Sequence, residues 1–119
     1  MNVPDFQNIL IVEDDAIIGM LLEEFLSMAG RQPVAVVDSV APALARLAEG
    51  GIDAAIVDLN LCCGETSDPV ATALAAANIP FIVATGAFIG DLDPVWRDRP
   101  LLEKPFTLAS VMRSLEELG

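Results

Sequence analysis

The chain has 119 residues, enough for one domain that buries roughly two-thirds of its unfolded surface around a single core. Apolar residues make up 54% of it and mean hydropathy is +0.56, which excludes a disordered acidic tail. With 18 acidic against 6 basic side chains the formal charge is -12, which argues against nucleic-acid and anionic-membrane binding, and the absence of histidine excludes His-based catalysis and His-ligated zinc.

The first element in chain order is "NILIV" (8–12), a continuous apolar run that predicts a buried strand ending at the acids Glu13, Asp14 and Asp15. Residues 16–29 then predict a helix with Ile18, Leu22, Phe25 and Met28 on its inner face, stopped by Gly30. "PVAVV" (33–37) predicts a second strand, and Ser39 caps a helix over 40–49 with Leu44, Leu47 and Ala48 inward. "DAAIVDL" (53–59) predicts the third strand, with Asp58 at its tip. The loop that follows holds the adjacent pair Cys62 and Cys63, which supports no disulfide framework and reads as plain loop, in keeping with a reducing, cytoplasmic setting.

Asp68-Pro69 offers a cap and a first-turn proline to the next helix, "VATALAAAN". "PFIVA" (80–84) is the fourth strand, followed at once by Thr85. Residues 69–90 carry no charge, but "NIP" at 78–80 divides them into a buried helix and a buried strand, each too short to cross a bilayer. The segment 85–99 has room only for a short, poorly patterned helix, with Trp96 as its anchor. "PLLE" (100–103) is the fifth strand, and Thr107 caps a closing helix with Leu108, Val111, Leu115 and Leu118 on one side. No secretory leader is recognisable at the N-terminus.

Strand and helix alternate five times, and the strands are solid apolar runs rather than alternating ones, so helices cover both faces of a parallel sheet. The expected architecture is a doubly wound α/β fold, (βα)5, in a single domain over residues 1–119, with a short or irregular fourth helix. In such sheets ligands sit outside the carboxyl ends of the strands. Glu13, Asp14, Asp58, Thr85 and Lys104 all fall there. Clustered carboxylates repel one another and call for a cation, and Mg²⁺ suits them as a hard ion that takes carboxylates, keeps waters and accepts phosphate oxygens. An aspartate beside Mg²⁺, a lysine and a hydroxyl is a plausible acceptor of a phosphoryl group. Asp15 reads instead as a helix cap.

Taken together, "VEDD" (12–15), "VDLNL" (57–61), "ATG" (84–86) and "EKPF" (103–106), in this order and each at a strand end, resemble the receiver domains of two-component response regulators. The resemblance covers essentially the whole chain. It implies the flavodoxin-like strand order 2-1-3-4-5, Asp58 as phosphoacceptor, Asp14 and Asp58 as direct Mg²⁺ ligands, Glu13 acting through water and the Asn60 carbonyl as a further ligand. Thr85 and Lys104 would stabilise the acyl phosphate, and the Lys104-Pro105 bond would be cis. A histidine kinase or histidine phosphotransfer protein would donate the phosphoryl group, and a stand-alone receiver would signal through a downstream protein target or act as a phosphate sink or relay. It would be no multiple-turnover enzyme, although it could lose its own phosphoryl group.

Two features depart from the common receiver pattern. Leu101 stands where most receivers carry a fifth-strand aromatic, and the loop after Asp58 lacks the common Met-Pro. "PFIVATGAF" instead resembles the "FAT GUY" subgroup, which makes Thr85, Gly86, Phe88 and Pro105 the switch candidates, with Gly86 lending backbone freedom. A phosphorylation-independent pseudo-receiver is the alternative reading. A Mg²⁺-dependent aspartyl phosphohydrolase stands further off, because Asn60 replaces the second acid such enzymes carry and the compact chain has no cap.

Overall fold

The computed structural model describes residues 7–59, 61, 66–85, 96, 99–103 and 106–118. Its strands are β1 (Asn8–Val12), β2 (Gln32–Val37), β3 (Ala54–Asp58), β4 (Phe81–Thr85) and β5 (Leu101–Glu103). Among the described residues the helices are α1 (Ala16–Met28), α2 (Val40–Glu49), α3 (Asp68–Ala76) and α4 (Leu108–Leu118). The strands form one parallel sheet in the order β2-β1-β3-β4-β5, the order the receiver resemblance implies. The segment expected to hold a short extra helix between β4 and β5 lies, apart from Trp96 and Arg99, outside the described residues. No helix among the described residues is long and apolar enough to cross a membrane.

Successive side chains of a strand point to opposite faces, so each buried strand feeds two cores. Leu10, Val12, Ala55, Val57 and Val83 pack with Ala43 of α2 and with Val70, Ala71 and Leu74 of α3. On the other face Ile9, Ile11, Ile56 and Ile82 pack with Leu22 and Leu26 of α1 and with Val111 and Leu115 of α4. β3 and β4 are buried along their whole length, as the solid apolar runs predict. The edge strands β2 and β5 are partly exposed. Pro33 is tolerated in β2 because it lies on the edge, where the register with β1 shifts between Ile9 and Leu10.

The helices depart from the expected faces in two places. In α1, Leu22 is buried and Ile18 and Phe25 pack at the margin of the core, but Met28 is exposed, and Gly19 and Leu26 take the central positions. In α2, Ala43 is the buried residue, Leu47 packs partially, and Leu44 and Ala48 are exposed. In both helices a small residue faces the sheet, and its size sets how closely the backbone approaches. Trp96 is only 3% exposed, more deeply buried than an anchor on a surface helix would be. Its ring meets Phe81 edge-on, 5.7 Å between centroids, and the Arg99 guanidinium lies 4.2 Å from the centre of the Phe81 ring.

Candidate functional site

The three consecutive acids after β1 divide between two tasks. Asp15 is the N-cap of α1, its Oδ1 accepting the backbone N–H groups of Ile17 at 2.9 Å and Ile18 at 3.3 Å. Its own N–H donates to Glu13 Oε1 at 3.4 Å, so the cap that starts the helix also steadies the neighbouring carboxylate. The Glu13 N–H continues the β1–β2 ladder by donating to the Val37 carbonyl at 2.9 Å.

Asp58 ends β3 in the middle of the sheet. The Leu59 N–H donates to the Ala84 carbonyl at 3.0 Å, which carries the β3–β4 ladder past the strand end. One carboxylate oxygen from each of Glu13, Asp14 and Asp58 lies within 4.8 Å of the other two. Glu13 and Asp58 are buried, whereas Asp14 is exposed, so the cluster opens to solvent on one side. Thr85, also buried, ends β4 next to the Ala84 that faces Asp58, and pairs with Glu103 across to β5. The strand-tip logic therefore brings Glu13, Asp14, Asp58 and Thr85 to one rim of the sheet. Asn60, Gly86, Phe88, Lys104 and Pro105 lie outside the described residues, as do Cys62 and Cys63.

The donor set is chemically consistent. Three carboxylates this close repel one another unless a cation sits between them. An octahedral shell with bonds of about 2.1 Å spans roughly 4.2 Å, so oxygens held within 4.8 Å need little adjustment to share one hard divalent ion, directly or through water.

The structure adds one polar residue that sequence reasoning passes over. Ser67, not Asp68, is the N-cap of α3, with Asp68 and Pro69 in the first turn. Its side chain makes no capping bond; the fully buried hydroxyl donates instead to the backbone carbonyl of Asp58. The sequence signal was Ser-Asp-Pro at a helix start, in which Asp68 is the more obvious cap. Asp68 instead accepts the Trp96 indole N–H at 2.7 Å.

No protein-family model matches the sequence. The chain is similar to the swarming motility regulation protein RssB of Serratia marcescens, at 34% identity over 118 residues, 94% of this chain and 52% of RssB. It thus spans about half the length of that curated relative. The solution structure of SdrG from Sphingomonas melonis Fr1 superposes with a TM-score of 0.86 at 54% identity, over 95% of this chain and 96% of SdrG. The BeF3-activated conformation of SdrG, from Pseudomonas melonis Fr1, gives a TM-score of 0.83 at 52% identity over 98% of each chain. A response regulator receiver domain (CheY-like) from Methylobacillus flagellatus gives 0.80 at 30% identity, over 97% of this chain and all, 100%, of that one.

Proposed function

The chain belongs to the receiver domains of response regulators, and on that footing we propose that Asp58 accepts a phosphoryl group from a phosphohistidine of a histidine kinase or phosphotransfer protein. The observation that carries this reading is the meeting of Glu13, Asp14 and Asp58 at the strand tips, with Thr85 ending the adjoining strand. The existence of a BeF3-activated conformation of SdrG, 52% identical, supports it further, because beryllofluoride mimics a phosphoryl group on a carboxylate.

In the proposed reaction a carboxylate oxygen of Asp58 attacks phosphorus. The P–N bond to the partner's imidazole breaks, its electron pair returns to the ring nitrogen, and Asp58 becomes an acyl phosphate. Asp14 and Asp58 would hold Mg²⁺ directly, Glu13 would do so through water, and the Asn60 carbonyl is assigned as a further ligand by family likeness. Bound Mg²⁺ supplies positive charge against the oxygens of the phosphoryl group in flight. Thr85 then donates its hydroxyl to a phosphoryl oxygen, and Lys104, again by family likeness, pairs with another. Thr85, Gly86, Phe88 and Pro105 are the candidates for the switch that responds to the phosphoryl group.

Transfer is stoichiometric rather than catalytic, and the unit 1–119 works as one cytoplasmic receiver domain. It acts through protein contacts or by draining phosphate from a shared kinase. Leu101, at the position of the usual fifth-strand aromatic, is 43% exposed, which favours a switch that does not depend on that ring. The same observation is what sustains the alternative of a phosphorylation-independent binding module.

The deciding measurement is intact mass after incubation with Mg²⁺ and acetyl phosphate, for wild type and Asp58→Asn in parallel. One added phosphoryl group in wild type alone, lost with chelator, is the expected result. If neither acetyl phosphate nor beryllofluoride modifies or shifts the wild type, and Asp58→Asn still binds the partner, the binding-module reading replaces this one.

A further inference from the structure

We propose that Ser67 is a positioning residue for the phosphoacceptor, fixing Asp58 through its backbone carbonyl; this rests on the reading of Asp58 given above. The β1–β3 register runs to Val12 opposite Val57, and Asp58 is the next residue, the last of β3. On its other side the ladder continues, with Asp58 opposite Ala84 and the Leu59 N–H on the Ala84 carbonyl. Ser67 adds a hold from the start of α3: its hydroxyl donates to the Asp58 carbonyl and its N–H to the Leu59 carbonyl at 3.4 Å.

A serine at an N-cap ordinarily turns its oxygen to the exposed N–H groups of its own helix. Ser67 does not, although its carbonyl accepts the Ala71 N–H at 3.0 Å as an N-cap should. A residue that forgoes its local bond and spends its hydroxyl on a functional strand tip marks a site where local preference yields to function.

The residue is also well anchored. It is fully buried, the helix it begins packs Val70, Ala71 and Leu74 into the core, and the adjacent Asp68 is tied to buried Trp96. Ser67 therefore transfers the rigidity of the α3 start to the peptide that follows Asp58. With that peptide fixed, the carboxylate is held toward Glu13 and Asp14 before any cation or phosphoryl donor arrives. Such preorganisation acts on affinity and rate as well as on stability.

The test compares wild type, Ser67→Ala, Ser67→Cys and Val70→Ala well below their melting temperatures. Two quantities are read: Mg²⁺ affinity by calorimetry, and the rate constant of phosphorylation by acetyl phosphate from intact mass. Ser67→Ala should lose about tenfold in both, as loss of a group that orients a ligand typically does. Ser67→Cys, close in shape but a poor donor, should fall in the same direction and serves if the alanine variant does not fold. Val70→Ala loosens the anchor of α3 but keeps the hydroxyl, and should lose less than either serine variant in both readouts. Serine variants that match wild type, or a Val70→Ala loss as large as theirs, would overturn the role of Ser67. If wild type itself takes no phosphoryl group, the reading of Asp58 falls and this role with it. If wild type is phosphorylated and Ser67→Ala keeps pace, only the role of Ser67 falls.

Discussion

Gly19 of α1 lies against Val36 of β2 so closely that a Cβ on the glycine would sit 2.9 Å from Val36 Cγ1. The helix thus approaches the edge strand so closely that a side chain at this point would have to displace Val36. Gly19→Ala would gain about 1 kcal/mol of helix propensity but overfill the contact at a cost of about 1–3 kcal/mol. The expected net effect is a loss of about 1 kcal/mol in urea unfolding. In a Val36→Ala background the contact is relieved, and the same substitution should become stabilising. A Gly19→Ala cost that is equal in both backgrounds would show that Val36 does not set the approach of α1.

Thr107 and Ser110 exchange hydrogen bonds at the start of α4. The Ser110 N–H donates to Thr107 Oγ1 at 3.1 Å, and the Thr107 N–H donates to Ser110 Oγ at 2.9 Å. The arrangement satisfies two donors reciprocally, in the manner of a capping box with serine in place of the acid. Thr107→Ala should cost about 1 kcal/mol. Because the two side chains act as a pair, the double alanine variant should cost less than the sum of the single ones. Strict additivity in chemical denaturation would contradict that coupling.

The parts of the fold that were legible in the sequence are those fixed by local pattern. β1, β3 and β4 stand out because strands covered on both faces must be apolar at every position, and their polar tips then identify the rim. Asp15 was legible as a cap, since its bonds reach only two and three residues along the chain. The inner face of α1 was centred wrongly because large apolar residues dominate a periodic pattern, whereas at the closest approach the useful residue is the one without a side chain. Ser67 and Trp96 were beyond reach for a related reason. Their partners lie nine and 28 residues away, at Asp58 and Asp68, and such bonds leave no period to detect.

The bond from the Trp96 indole to Asp68 ties the segment before β5 to the start of α3. Hydrogen bonds to charged acceptors contribute more than neutral ones, so Asp68→Ala should lower stability by about 2 kcal/mol. Asp68→Asn keeps a carbonyl acceptor and should lose about half as much. The chain contains 1 tryptophan, so its fluorescence reports on this bond directly. A red-shifted, more quenchable emission in Asp68→Ala, intermediate in Asp68→Asn, is expected. An unchanged spectrum would mean that Trp96 is held by Phe81 packing alone.

The acid cluster makes the sharpest thermodynamic prediction, because the same charge has opposite effects with and without a cation. In chelator, Asp14 adds a third negative charge beside Glu13 and Asp58, so Asp14→Ala should melt at or above the wild-type temperature. With Mg²⁺ at ten times its Kd, wild type gains about 1.4 kcal/mol by mass action, while the variant, missing a direct ligand, gains little. The order of the two melting curves should therefore reverse. A formal charge of -12 means that any salt stabilises this chain somewhat by screening, so NaCl at matched ionic strength is the necessary control. If NaCl reproduced the whole gain, or Asp14→Ala kept it, the stabilisation would belong to screening of the surface and the three carboxylates would hold no ion of their own.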